Sequence, residues 1–231
     1  LLSGRTEVTT TNRSSIFAGV SALLIPAAIG MVFFYAPLEK TMGSVQKIFY
    51  FHLPLAFSAF LSFFVAFVAG IMYLRTRRQI WDARLAASVE IGVVLTTLVL
   101  ITGSLWGKPI WNTYWTWDPR LTTSLILWFI YASCLILRSA VEEEGKRATY
   151  SAVMAIVGFV DVPIVFFSAR LWRSIHPTVI RSDSVGLESS MLITLLACMV
   201  AMLSFWIGLY KFRVSLQLQE AAAIELLNPK H

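Results

Sequence analysis

Six runs of about 20 apolar residues, near 16–35, 54–74, 85–105, 121–140, 148–168 and 189–210, leave this chain few folds to choose from. A helix rises 1.5 Å per residue and the hydrocarbon core of a bilayer is about 30 Å thick, so a run of that length is what crosses it. Lipid offers no partner to a backbone N–H or C=O, and a helix satisfies these groups within itself. With 57% hydrophobic and only 14% charged residues, and a mean hydropathy of +0.71, the chain does not have the composition of a water-soluble domain. The reading is an all-α integral membrane protein: a single membrane domain over 1–231 with six transmembrane helices. The first run is longer than a signal-peptide core and no small-x-small cleavage site follows it, so it is read as a retained helix.

Lys and Arg set the expected orientation. With the N-terminus in the cytoplasm, twelve of the 19 basic residues fall inside and seven outside, and the tight cluster Arg75, Arg77, Arg78 is inside. The positive-inside rule therefore predicts that both termini, the tails 1–15 and 211–231, are cytoplasmic. The net charge of +6 is accounted for by membrane lipid and topology and requires no nucleic acid. The longest connections, 36–53, 106–120 and 169–188, all fall on the outer face. Gly4 to Ser15 is polar enough to be disordered.

One of those outer loops reads WGKPIWNTYWTWDPR. It holds Trp106, Trp111, Trp115 and Trp117, half of the chain's eight tryptophans, together with Tyr114. Amphipathic rings at a helix end can form an interfacial belt, but belts spread over many helices. Four indoles and a phenol within one short stretch fit a platform for a flat partner: a sugar ring, a quinone or a porphyrin. Asp118 before Pro119 is an N-cap followed by proline at the first helical position, which marks the start of helix four. Arg120, with Lys108, Arg170, Arg173 and Arg181, supplies outer cations suited to carboxylates, lipid phosphate or solvent.

Histidine narrows the choice of partner. His231 is terminal, whereas His52 in IFYFHLP and His176 in WRSIHPT both lie on the predicted outer face beside the tryptophans. Either is readable as a hydrogen-bonded surface group. Two together flanking an aromatic platform point to a metal, and imidazole suits iron. Two ligands are too few for a closed zinc site but match the two positions left on an iron already held by a porphyrin. Pro54 follows His52 by two residues and Pro177 follows His176 directly, so both imidazoles are expected on extended backbone. Cys134 and Cys198 lie within helices without a CxxC or CxxCH pattern, which argues against a disulfide framework and against covalent haem attachment to this chain.

WGKPIWNTYWTWDPRLTTSLILW resembles the tryptophan-rich WWD signature of the haem-handling family of cytochrome c biogenesis. IFYFHLP and VPIVFFSARLWRSIHP resemble the segments around that family's two outer histidines. The likeness runs from about Gln46 to Trp206, and six helices in 231 residues match the shorter, CcmC-type members. The resemblance implies that His52 and His176 are axial ligands of non-covalent haem b (iron protoporphyrin IX), held on the periplasmic face of a bacterial inner membrane. It implies Trp106, Trp111, Tyr114, Trp115, Trp117, Asp118 and Arg120 as the surrounding site, and the haem chaperone CcmE, the small CcmD and the ABC-type CcmA and CcmB as partners. No arrangement of acid, base and nucleophile argues for ordinary catalysis. A second reading is a transporter or export subunit for haem or another small solute, which would want broken helices near the midplane. A third, an extracytoplasmic glycan-binding or interaction protein, would leave the histidines idle. Two carboxylates, Glu90 and Asp161, fall in membrane segments, either as functional groups or as hydrogen-bonded links between helices. Pro163 is expected to kink helix five.

Overall fold

The computed structural model describes residues 3–172 and 187–227, with side chains for 16–169, 171–172 and 187–227. Among these residues seven α-helices follow one another: α1 Ser3–Gly30, α2 Phe49–Thr76, α3 Gln79–Trp111, α4 Pro119–Ala140, α5 Glu144–Gly158, α6 Asp161–Leu171 and α7 Ser189–Leu227. A π-helical turn, Met31–Tyr35, extends α1, and a 3-10 turn, Ser44–Ile48, leads into α2. Among the described residues, six helical stretches are long and apolar enough to cross a membrane: Ile16–Tyr35, Ser44–Thr76, Gln79–Trp111, Pro119–Ala140, Glu144–Ala169 and Ser189–Leu227. All six expected runs are thus present. The chain is a multi-pass membrane protein.

Several spans run longer than their apolar stretches. The backbone is helical from Ser3, where a disordered tail was expected, and α7 continues to Leu227 through most of the expected C-terminal tail. The fifth span is two helices rather than one kinked helix: α5 ends at Gly158 and α6 begins at Asp161. Pro163 explains the interruption. Its missing N–H is tolerated in the first turn of a helix and not in the interior, so the chain restarts just before it. Asp161, in that first turn, places a carboxylate at the positive end of the α6 dipole.

The centre of the bundle is the antiparallel pair α2 and α3. α5 and α7 pack on α2, α4 and α7 pack on α3, α1 lies along α7, and α6 lies along α4. Small residues let the backbones approach. A β-carbon on Gly92 would stand 2.4 Å from the Phe63 ring, and one on Gly70 would stand 3.0 Å from the Ala152 carbonyl. Close approach through small side chains is how helices associate where burial from water provides no drive. Phe63 stacks on Tyr131 at 3.8 Å between centroids, and both are fully buried. Two indoles reach across helices to hydroxyls: Trp206 Nε1 donates to Ser62 Oγ at 2.7 Å and Trp128 Nε1 to Thr97 Oγ1 at 2.8 Å. Outward residues such as Phe64, Val94, Phe129 and Ile136 are exposed and apolar, as a lipid-facing surface requires.

At the end of the bundle bearing the Arg75–Arg78 cluster, the membrane carboxylate Glu90 is part of a link between helices. Arg213 and Gln217 of α7 both donate to it. Arg138 of α4 grips Asp82 of α3 through two nitrogens at 2.7 and 3.0 Å.

Candidate ligand cavity

At the opposite end, α2, α3, α4 and α6 enclose an open cavity whose empty space, mouth included, is about 1420 Å³. Seven aromatic rings line it among aliphatic side chains: Phe49, Phe57 and Phe60 from α2, Trp106 and Trp111 from α3, Trp115 from the following loop and Phe166 from α6. The polar groups are few and include His52, Arg120, Thr96, Ser104 and Ser124. A large apolar cleft with a few convergent polar groups is the usual form of a small-molecule site.

His52 lies in the first turn of α2, not on extended backbone ahead of it. Proline disfavours the α region for the residue directly before it, which is Leu53 rather than His52, and α2 begins ahead of both with the buried Phe49 and Tyr50, 3% and 0% exposed. His52 is itself only 8% exposed. Its Nδ1 lies 2.9 Å from Thr102 Oγ1, and its ring meets Trp106 edge-on at 5.9 Å. Gly103 leaves the room, since a β-carbon there would come within 3.2 Å of His52 Cε1.

The tryptophan stretch divides. Trp106 and Trp111 belong to the last turns of α3, which ends at Asn112 in the left-handed region (φ 56°), so the loop proper is shorter than 106–120. Asparagine tolerates that conformation, and Lys108 Nζ donates to its carbonyl at 3.1 Å. Gly107 admits the Trp111 ring, 3.0 Å from where a β-carbon would be. Within the loop, Trp115 faces the cavity and meets Trp117 at 5.9 Å in a T-shaped pair. Trp117 is 76% exposed and Tyr114 58%, and neither lines the cavity. Lys108 lies over the Tyr114 ring at 5.3 Å.

Asp118 is buried and is the N-cap of α4, accepting from the Arg120 N–H at 3.0 Å. It fixes where α4 begins and thereby brings Arg120 to the cavity wall. Of the expected site residues, the structure brings together His52, Trp106, Trp111, Trp115 and Arg120, with Asp118 in support. Tyr114 and Trp117 stand outside, and His176, Arg173 and Arg181 lie outside the described residues. Among the described residues no group of three or more His, Cys, Asp and Glu converges as a metal site would.

Thr102, Gly103 and the α2 and α6 phenylalanines were missed in the sequence. Their only signal is helical spacing: Thr102 lies four residues before Trp106, which places both on the face of α3 that meets His52.

The nature of the lining fits a planar, largely apolar ligand that also carries acceptors. Trp106 Nε1 and Trp115 Nε1 are shielded from solvent with no hydrogen-bond partner among the described residues. The Arg120 guanidinium on the cavity wall is a cation of the kind that meets carboxylate oxygens.

Fold and site together define a multi-pass helical membrane protein with an aromatic, histidine-bearing cavity opening at one end of its bundle. Comparison with known proteins makes this specific: the chain belongs to the CcmC family, whose description is heme exporter protein C and whose model matches residues 4–226. It is 37% identical to heme exporter protein C of Bradyrhizobium diazoefficiens, over 82% of this chain and 73% of that protein. It is 32% identical to heme exporter protein C of Haemophilus influenzae, over 90% of this chain and 86% of that one. A putative cytochrome c biosynthesis ccmC-like mitochondrial protein of Marchantia polymorpha is 30% identical over 78% of this chain and 77% of its own length.

Proposed function

We propose that this chain handles haem during cytochrome c biogenesis, taking haem b non-covalently into the cavity and presenting it to a haem chaperone of the CcmE type. The observation that carries the reading is His52, an imidazole set among Phe49, Trp106 and Arg120 in a cavity of porphyrin-like character, in a chain of the CcmC family. Haem iron supplies two axial positions, and His52 and His176 are the residues assigned to them. Trp106, Trp111 and Trp115 enclose the macrocycle. Arg120 meets its carboxylates. Tyr114 and Trp117, exposed beyond the cavity, are placed to touch whatever receives the haem.

The cavity end is assigned to the periplasmic side of a bacterial inner membrane, with both termini cytoplasmic, because the Arg75–Arg78 cluster sits at the other end. CcmD and the ABC-type CcmA and CcmB are the proposed companions, in keeping with the exporter name its relatives carry. Exclusion of a second small ligand from the iron by two imidazoles keeps oxygen chemistry away during transfer.

The test is optical and needs no added ligand. Protein purified from cells that make haem should show a low-spin spectrum. His52→Gly and His176→Gly should each weaken haem retention and accept free imidazole as a replacement. A colourless wild-type protein, or an unaltered spectrum in either variant, would overturn the assignment.

One observation favours the export reading: the broken fifth span borders the cavity, with Val165 and Phe166 of α6 lining it. Proteoliposomes separate the two. A transporter alone moves haem across the bilayer, whereas a handling protein loads only from the cavity side.

A further inference from the structure

We propose that Thr102 selects the tautomer of His52, holding the proton on Nδ1 so that Nε2 carries the lone pair; its bearing on haem rests on the function proposed above. Thr102 is then a positioning residue: it acts through His52 and touches no ligand itself.

The Thr102 hydroxyl has one proton to place. Thr102 Oγ1 lies 2.7 Å from the Leu98 carbonyl and 3.2 Å from that of Val99, the back-bonded arrangement a threonine adopts within a helix. A hydroxyl has a single proton to donate and two lone pairs with which to accept. With that proton directed at the carbonyls of its own helix, Oγ1 faces His52 Nδ1, 2.9 Å away, as an acceptor. Nδ1 must therefore bring the hydrogen, and in a neutral imidazole the other nitrogen is then unprotonated. The opposite tautomer would turn the Thr102 hydroxyl away from both carbonyls and give up the 2.7 Å bond to Leu98.

The neighbouring residues of α3 hold the ring in the plane this bond requires. Trp106, one turn on, meets it edge-on at 5.9 Å, and Gly103 leaves space for Cε1. Leu98, Thr102 and Trp106 follow at intervals of four, so one face of α3 orients one imidazole of α2. Histidine ligands of metals commonly donate their other N–H to a neighbour that fixes tautomer and orientation. A carboxylate in that role makes the imidazole a stronger donor. A neutral hydroxyl does so less, which suits a ligand that must later be surrendered.

The experiment reads the proton directly. The full-length chain, haem-free and labelled with ¹⁵N histidine, is placed in nanodiscs; with three histidines in the sequence, the His52 signals are assigned by their loss in His52→Gln. Expected are a protonated Nδ1 and an unprotonated Nε2 in the wild type and in Thr102→Ser. The isosteric Thr102→Val should show a mixed or reversed tautomer, and its haem affinity should fall roughly 10- to 100-fold, the usual cost of losing such a partner. A wild-type His52 protonated on Nε2, or a Thr102→Val protein with an unchanged tautomer, overturns the proposal. Haem titration of His52→Gly tests the underlying reading separately: wild-type affinity there would sink haem ligation by His52 and leave the tautomer result standing.

Discussion

Gly103 and His52 meet too closely for a side chain to enter without displacing the ring: a β-carbon on Gly103 would stand 3.2 Å from His52 Cε1. Gly103→Ala must therefore displace the ring by a few tenths of an ångström, and the 2.9 Å bond to Thr102 limits the ways it can yield. The expected outcome is a protein of near-normal thermal stability with a perturbed axial-ligand spectrum and faster haem loss. Gly103→Leu should abolish retention. Absorption and electron paramagnetic resonance of the haem-loaded variants check this, and an unaltered Gly103→Leu spectrum would show that the ring is not confined there.

Trp115 and Trp117 differ in exposure and should differ in effect. Trp115 lines the cavity, whereas Trp117 is 76% exposed and rests edge-on against it. Trp115→Ala is expected to speed haem dissociation, and Trp115→Phe to restore much of the loss, because enclosure needs a ring and not the indole N–H alone. Trp117→Ala should leave dissociation close to wild type while slowing transfer to the chaperone. Stopped-flow haem capture by an apo-globin acceptor reads the first quantity. Equal effects of the two alanine variants on dissociation would refute the division.

Much of this was legible in the sequence, for identifiable reasons. Apolar run length locates spans because hydrocarbon thickness fixes it, and all six appear. Asp118-Pro119 marks the start of α4 because capping is local chemistry. Less legible was anything that depends on which helix faces which. The stretch 106–120 looks like one loop, yet burial of Trp106 carries α3 on to Trp111. His52 looks extended because of Pro54, yet α2 begins ahead of it with the buried Phe49 and Tyr50. The Thr102 contact joins residues 50 positions apart, and a lone threonine in an apolar run gives no sign of it. Glu90 similarly reads as an isolated membrane carboxylate until α7 supplies Arg213 and Gln217.

Those far-end pairs are expected to serve stability rather than ligand binding. Asp82 and Arg138 have side chains only 16% and 13% exposed, and their bond is bidentate. Asp82→Asn removes the charge partner of a largely buried guanidinium, with an expected loss of about 1.5–3 kcal/mol, the range for a hydrogen bond to a charged group. Glu90→Gln, which retains an acceptor for Gln217 and Arg213, should cost less. Denaturation of each variant in detergent measures this, and haem bound per folded molecule should stay constant. A fall in that ratio for Asp82→Asn would mean the two ends are coupled.

The loop after the first span carries a pH dependence. The Met42 N–H, foremost, holds the Glu39 carboxyl below its ordinary value against the opposing effect of burial, with that of Thr41 in support. A depressed carboxylate contributes order that is fully present above its unfolded pKa and is lost as pH falls through the lower folded one. Glu39→Gln should therefore speed exchange of the Thr41 and Met42 amides at neutral pH, while the wild type should match it only in acid, below the usual carboxylate range. Amide exchange followed against pH checks the sign; protection that rose on acidification would contradict the hydrogen-bonded carboxylate.

The final prediction concerns sidedness, on which the proposed delivery depends. Thr113 lies in the short loop between α3 and α4 beside the cavity mouth, and Thr76 ends α2 at the arginine-rich end, so the two residues mark opposite ends of the bundle. The basic cluster Arg75, Arg77 and Arg78 favours the cytoplasm for its own end. Cys134 and Cys198 are free thiols, so replacing both by alanine removes no crosslink and supplies the cysteine-free background. In intact cells, Thr113→Cys should then react with a membrane-impermeant maleimide and Thr76→Cys should not, both reacting once the membrane is permeabilised. The reverse pattern would put the His52 cavity on the cytoplasmic side. Delivery to a periplasmic chaperone would then be ruled out, although the cavity chemistry would be untouched.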